Sequence, residues 1–177
     1  SEGVVLDVDT HVSGSNGAII FQADSSFSSL EAQAINGINV NANITTTTGG
    51  INLNGDSDSG IDSLDPQDNI TFASGVSLNS ATSISLSAIT GGMTAAAGLT
   101  LTAPTSITTT GDLTAAGAVT MTANSGITLN GSITTSTGDL NINANSSALA
   151  LGSEITLSSA GALILSANNT TSSGNLI

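Results

Sequence analysis

The densest group of chemically capable side chains lies between Gly55 and Asp68, where Asp56, Asp58, Asp62, Asp65 and Asp68 stand close together among Ser57, Ser59 and Gly60. Carboxylates on a glycine-containing loop are hard oxygen donors, and calcium takes roughly six to eight such donors at relaxed geometry. Asp56, Asp58, Asp62 and Asp65 are therefore candidate calcium ligands. The run Asp56-x-Asp58-x-Gly60-x-Asp62 overlaps an EF-hand loop only in part, because Gln67 stands where that loop ends in glutamate. The plainer reading of the same residues is a solvated turn that keeps the molecule soluble.

A second set surrounds the single histidine. In Val4 to Val12, strand alternation places Asp7, Asp9 and His11 on one face and Leu6, Val8 and Val12 on the other. Imidazole with carboxylates suits a transition metal. Same-face neighbours on a strand are about 7 Å apart, however, so one ion does not join all three, and a solvated strand face is expected. Catalysis is not expected either. Groove enzymes acting on sugars use carboxylate pairs with aromatic platforms, and cations where the sugar is acidic. Here lysine and arginine are absent, the aromatics are Phe21, Phe27 and Phe72, and the carboxylates beyond residue 70 are Asp112, Asp139 and Glu154. No catalytic residue and no required cofactor are assigned. Asn-x-Ser/Thr sequons stand at Asn43, Asn69, Asn145, Asn168 and Asn169, which so Asn-, Ser- and Thr-rich a chain produces by chance.

The elements that must carry these residues are written in a recurring five-residue phrase: apolar, any residue, apolar, any residue, alanine. It occurs at Ile19-Phe21-Ala23, Ile38-Val40-Ala42, Ile84-Leu86-Ala88, Leu99-Leu101-Ala103, Val119-Met121-Ala123, Leu140-Ile142-Ala144 and Leu163-Leu165-Ala167. Period-two alternation marks a strand with one buried face, and a short strand repeated at intervals buries that face only by stacking on its copies. Glycine precedes many of these strands, as at Gly37, Gly50, Gly98, Gly138 and Gly161, and marks corners. Counting strands from Leu99 gives three per coil of about 20–23 residues, hence about eight coils and a body roughly 40 Å long. The expected fold is all-β: a parallel β-helix, or β-solenoid, forming one domain over residues 1–177. Two interruptions are expected: the Asp-rich insertion near 55–69, where Pro66 forbids a central strand, and a loop excursion or short helix near 24–34. Alanine packing is expected at Ala42, Ala103, Ala123 and Ala144, and outward Asn and Thr are expected to form ladders.

Composition sets the partners. The chain has 177 residues, no cysteine, no tryptophan or tyrosine, and 13 acidic residues against no lysine or arginine, a formal charge of −13. Phosphate contacts need cations, so nucleic-acid binding is not expected. No apolar run approaches a membrane span, so no membrane insertion is expected. Mean hydropathy of +0.30 with 7% charged residues argues for a folded chain rather than a disordered one.

The phrases Gly117-Ala-Val-Thr-Met-Thr-Ala-Asn-Ser-Gly-Ile-Thr-Leu-Asn-Gly131 and Gly138-Asp-Leu-Asn-Ile-Asn-Ala144 resemble the repeats of filamentous-haemagglutinin-like exoproteins, over residues 17–177. The resemblance implies a right-handed parallel β-helix, two-partner secretion, and an extracellular or cell-surface structural or adhesive role. The chain, starting at Ser1 and stopping mid-phrase at Ile177, reads as a processed or excised part of something longer. The expected partners are further copies stacked head to tail or the remainder of a longer chain, with a glycan or protein at a host or cell surface. An alternative is an ice-binding solenoid, suggested by Thr45-Thr47, Thr100-Thr102, Thr108-Thr110 and Thr120-Thr122; these are expected on different strands of the coil, which leaves a single regular face unestablished.

Overall fold

A computed structural model describes residues 3–8, 17–58 and 68–172. Its strands follow one another in strict rotation through three parallel sheets. The first sheet stacks β1 (Val4–Val8), β4 (Leu30–Ala34), β7 (Ile51–Asn54), β10 (Ile84–Ser87), β13 (Ile107–Thr110), β16 (Ile127–Asn130), β19 (Ala148–Leu151) and β22 (Asn169–Ser172). The second stacks β2 (Ile19–Phe21), β5 (Ile38–Val40), β8 (Ile70–Phe72), β11 (Met93–Ala95), β14 (Leu113–Ala115), β17 (Ile133–Thr135) and β20 (Leu157–Ser159). The third stacks β3 (Ser25–Phe27), β6 (Ile44–Thr46), β9 (Val76–Asn79), β12 (Leu99–Ala103), β15 (Val119–Ala123), β18 (Leu140–Asn143) and β21 (Leu163–Ser166). The chain is a β-solenoid with three strands per coil, as expected. Among the described residues, sheets of 8, 7 and 7 strands make seven full turns plus one strand, against about eight coils expected. At about 4.8 Å per strand the first sheet is roughly 34 Å tall.

Stacking columns of like residues form the core. In the third sheet Val76, Leu99, Val119, Leu140 and Leu163 lie in register, beside Leu78, Leu101, Met121, Ile142 and Leu165. In the first, Leu30, Ile51, Ile84, Ile107, Ile127 and Leu149 form the matching column. Each such side chain removed from water contributes about 1.5–3 kcal/mol. The interior is therefore dry, narrow and aliphatic. Phe72 is fully buried, and Phe21 meets Phe27 edge to face at 6.3 Å and 75°.

Several expectations are corrected. Residues 24–34 are neither loop nor helix: they form β3 and β4, paired in parallel with β6 and β7. Glu31 and Gln33 point outward while Leu30, Ala32 and Ala34 are buried, so the segment alternates like its neighbours but with small inward residues that weaken the signal. Ala42 lies off its strand and is only half-buried, whereas Ala103, Ala123 and Ala144 are buried. The last strand of the second sheet, β20, begins at Leu157, which pairs with Ile133. Of the insertion expected near 55–69, between β7 and β8, residues 59–67 lie outside the described residues.

Side-chain bonds between coils concentrate at the corners. The Asn43 N–H donates to Asp24 Oδ1 at 2.9 Å, and the Ser77 N–H donates in turn to Asn43 Oδ1 at 2.8 Å. Ser132 N–H donates to Asp112 Oδ1 at 2.8 Å and Thr156 N–H to Ser132 Oγ at 3.1 Å. Asp139 Oδ1 accepts from Ala162 N–H at 2.8 Å. Each polar corner residue thus satisfies a backbone donor one coil away. The outward ladder is looser: Thr94 reaches Thr71 only at 3.5 Å. Gly111 shows why a corner needs glycine, since its φ is +99° and an added Cβ would strike the carbonyl oxygen of Ala88.

Candidate metal centre

The insertion leaves and rejoins the solenoid at one corner of the third coil. β7 ends at Asn54, and Gly55 follows so close to Asn69 that a Cβ there would collide with the Asn69 carbonyl. Asn69 O also accepts the N–H of Ile38 from the coil below at 2.8 Å, while Asp68 O accepts the N–H of Gly91 from the coil above at 3.2 Å. Ser57 N–H donates to Ala34 O at 3.1 Å. The two ends of the insertion are therefore tied to both neighbouring coils.

That geometry gathers carboxylates. Asp56, Asp58 and Asp68 each offer a carboxylate oxygen, and these oxygens lie within 4.8 Å of one another. Asp56 and Asp68 are each only 2% exposed, whereas Asp58 is exposed at the rim. Asp56 Oδ2 accepts both the N–H and the hydroxyl of Thr90, at 2.8 and 2.7 Å. Its Oδ1 is buried and receives no donor. Asp68 adopts φ of +29°, a left-handed conformation that aspartate tolerates better than most residues.

Of the four candidate calcium ligands read from the sequence, Asp56 and Asp58 converge here; Asp62 and Asp65 lie outside the described residues. Asp68, the third member of the cluster, was legible in the sequence only as the edge of the acidic run. What brings it in is the closure of the insertion at Gly55 and Asn69, a backbone feature that ligand spacing does not encode. In the other acidic set Asp7 is exposed on β1, and Asp9 and His11 lie outside the described residues. Asp112 and Asp139 serve the corners just described. Glu154 is exposed in a turn at φ of +59°.

The threonine pairs fall on different strands of the coil, as expected: Thr108-Thr110 lies on the first sheet, whereas Thr100-Thr102 and Thr120-Thr122 are stacked in register on the third. The array is two coils tall, bounded below by Ser77 and Asn79 and above by Asn141 and Asn143. A longer column, Thr71, Thr94, Thr114 and Thr134, runs up the second sheet one residue wide. It escapes a search for Thr-x-Thr because each strand contributes a single threonine. Among the sequons, Asn145 donates from Nδ2 to Ala123 O at 3.1 Å and to Asn124 Oδ1 at 2.6 Å, while Asn168 and Asn169 are exposed.

Among the described residues there is no helix, and so none long and apolar enough to cross a membrane. Comparison with protein-family models, curated proteins and solved structures gave no match for this chain.

Proposed function

We propose that this chain is a non-catalytic structural element of the cell exterior: a β-solenoid segment of a surface filament, stalk or adhesin that stacks end to end. The observation that carries the reading is the unbroken parallel register of three sheets around a filled aliphatic interior. Such a body transmits load along its hydrogen-bond ladders. Its aromatic rings turn inward, leaving no ring platform for a sugar among the described residues.

The last described coil supports the same reading. Leu163 and Leu165 occupy inward positions above Leu140 and Ile142, yet they are 46% and 38% exposed, and outward Ile164 is 45% exposed. A parallel ladder with open apolar positions is a template for another coil, contributed by a second copy or by more of the same chain. Head-to-tail stacking repeats without closing, which makes a filament.

Negative-stain microscopy and sedimentation of the purified chain test this. Rods that lengthen as salt is raised, or as pH approaches the isoelectric point of about 4.1, are expected, because a charge of −13 per copy opposes association otherwise. A chain that stays a single short particle under all these conditions would sink the stacking proposal.

A further inference from the structure

We propose that Asp56, Asp58 and Asp68 bind a divalent calcium ion that clasps the two ends of the insertion to the solenoid. Asp58 immediately precedes residues 59–67 and Asp68 immediately follows them, so one ion joins both ends.

Three independent observations carry this. The first is distance. Oxygens on one calcium lie about 2.3–2.6 Å from it, so two ligands on opposite sides are at most about 5 Å apart. Carboxylate oxygens within 4.8 Å of one another already meet that limit without rearrangement. The second is the unpartnered atom. Asp56 is 2% exposed; Thr90 holds its Oδ2, and its Oδ1 has no donor although it is buried. A buried carboxylate oxygen without a partner is costly, and a cation relieves that cost. The Thr90 bonds also fix the carboxylate in place, as an outer-shell partner does for a metal ligand. The third is charge. Clustered carboxylates in a protein interior are normally offset by a neighbouring lysine or arginine. This chain has neither, so a cation from solution is the counter-charge open to the cluster.

An all-oxygen, all-carboxylate set points to a hard cation. The loose, one-sided arrangement, with Asp58 open to water, suits calcium better than magnesium, which demands a tighter octahedron and keeps most of its own water. Water supplies the remaining positions that calcium requires. The remaining acidic residues described do not reproduce the site: none joins a group of three ligating side chains, and Asp24, Asp112 and Asp139 each serve a corner singly.

The test uses the full chain, freed of metal with a chelator, in calorimetric titration with calcium chloride and in thermal melts followed by far-ultraviolet circular dichroism. One saturable site is expected, with Tm raised by about 5–10 °C once calcium is a hundred times its dissociation constant. Asp58→Asn, at an exposed position that does not burden folding, should melt like the parent in chelator and lose at least about tenfold in affinity. Asp112→Asn should leave the calcium affinity unchanged. No saturable heat, an equal Tm rise from magnesium or from sodium chloride at matched ionic strength, or full affinity in Asp58→Asn would each overturn the site. The titration reads a single copy, so its outcome is distinct from whether copies assemble into rods.

Discussion

Replacing Thr109 by valine should stabilise this protein, although it deletes a polar group from a strand rich in threonine. Thr109 lies in β13 at an inward position, 1% exposed, in a column with Leu53 and Leu86 below it and Leu129 and Leu151 above. Its Oγ1 is buried with no hydrogen-bond partner. A hydroxyl taken out of water without compensation costs about 1–3 kcal/mol. Valine keeps the β-branched shape and the strand preference while exchanging that hydroxyl for a methyl group. The expected gain is about 1–2 kcal/mol, or ~3–6 °C in Tm for a chain of this size.

The control is on the same strand. Thr108 faces outward, half-buried, so Thr108→Val removes a hydroxyl that water already satisfies and should shift Tm by less than about 1 °C. Circular dichroism is the right probe, because the chain has no tryptophan or tyrosine to report by fluorescence. A Thr109→Val protein that melts at or below the parent, or no higher than Thr108→Val, would refute the argument that this hydroxyl is an uncompensated polar group in an aliphatic column.

Other perturbations separate the core from the corners and the end. Leu140→Asp places a carboxylate at a fully buried position in the penultimate strand of the third sheet and should cost more than about 4 kcal/mol, seen as loss of the folded dichroism spectrum at room temperature. Asp112→Ala removes the acceptor of the Ser132 N–H and should lower stability by about 1 kcal/mol, with faster hydrogen exchange at the Ser132 amide while the Val119 amide stays protected. Leu163→Glu with Leu165→Glu should abolish long assemblies in micrographs while leaving a cooperative melt, since both side chains are substantially exposed on the last described coil. Assemblies that persist would place the contact elsewhere.

How much of this was legible in the sequence depends on which residue carries the signal. The coil rhythm from Leu99 to Leu151 was readable because large aliphatic residues stand at both inward positions of most strands, as in Leu99-Leu101 and Ile127-Leu129. The recurring alanine phrase did not mark one face: Ile38 begins a strand of the second sheet, Ile84 one of the first, and Leu99 one of the third. Any strand feeding a corner tolerates a small residue there, so the phrase reports strand length rather than position in the coil. Residues 24–34 were opaque because β3 opens on serines and β4 fills its inward sites with Ala32 and Ala34, which suit a helix equally well. At the acidic cluster the residue types were visible, but the membership was not. It took the close approach of Gly55 and Asn69 to bring Asp68 beside Asp56 and set both against the Thr90 corner.

The contrast among the carboxylates links fold to function. An acidic chain without lysine or arginine can be a rigid rod only if its charges are kept apart or given partners. Asp24, Asp112 and Asp139 solve this individually: each sits at a corner and takes a backbone N–H from the coil above, so a negative charge is turned into an inter-coil staple. At the third-coil corner Asp56 takes the Thr90 N–H in the same way, but there Asp58 and Asp68 arrive beside it, so three carboxylates stand together. Thr90 satisfies one oxygen of Asp56 and leaves the other buried without a donor. The calcium ion proposed above would give Asp56 Oδ1 the partner that the next coil does not, and binding there would couple to the stiffness of the rod.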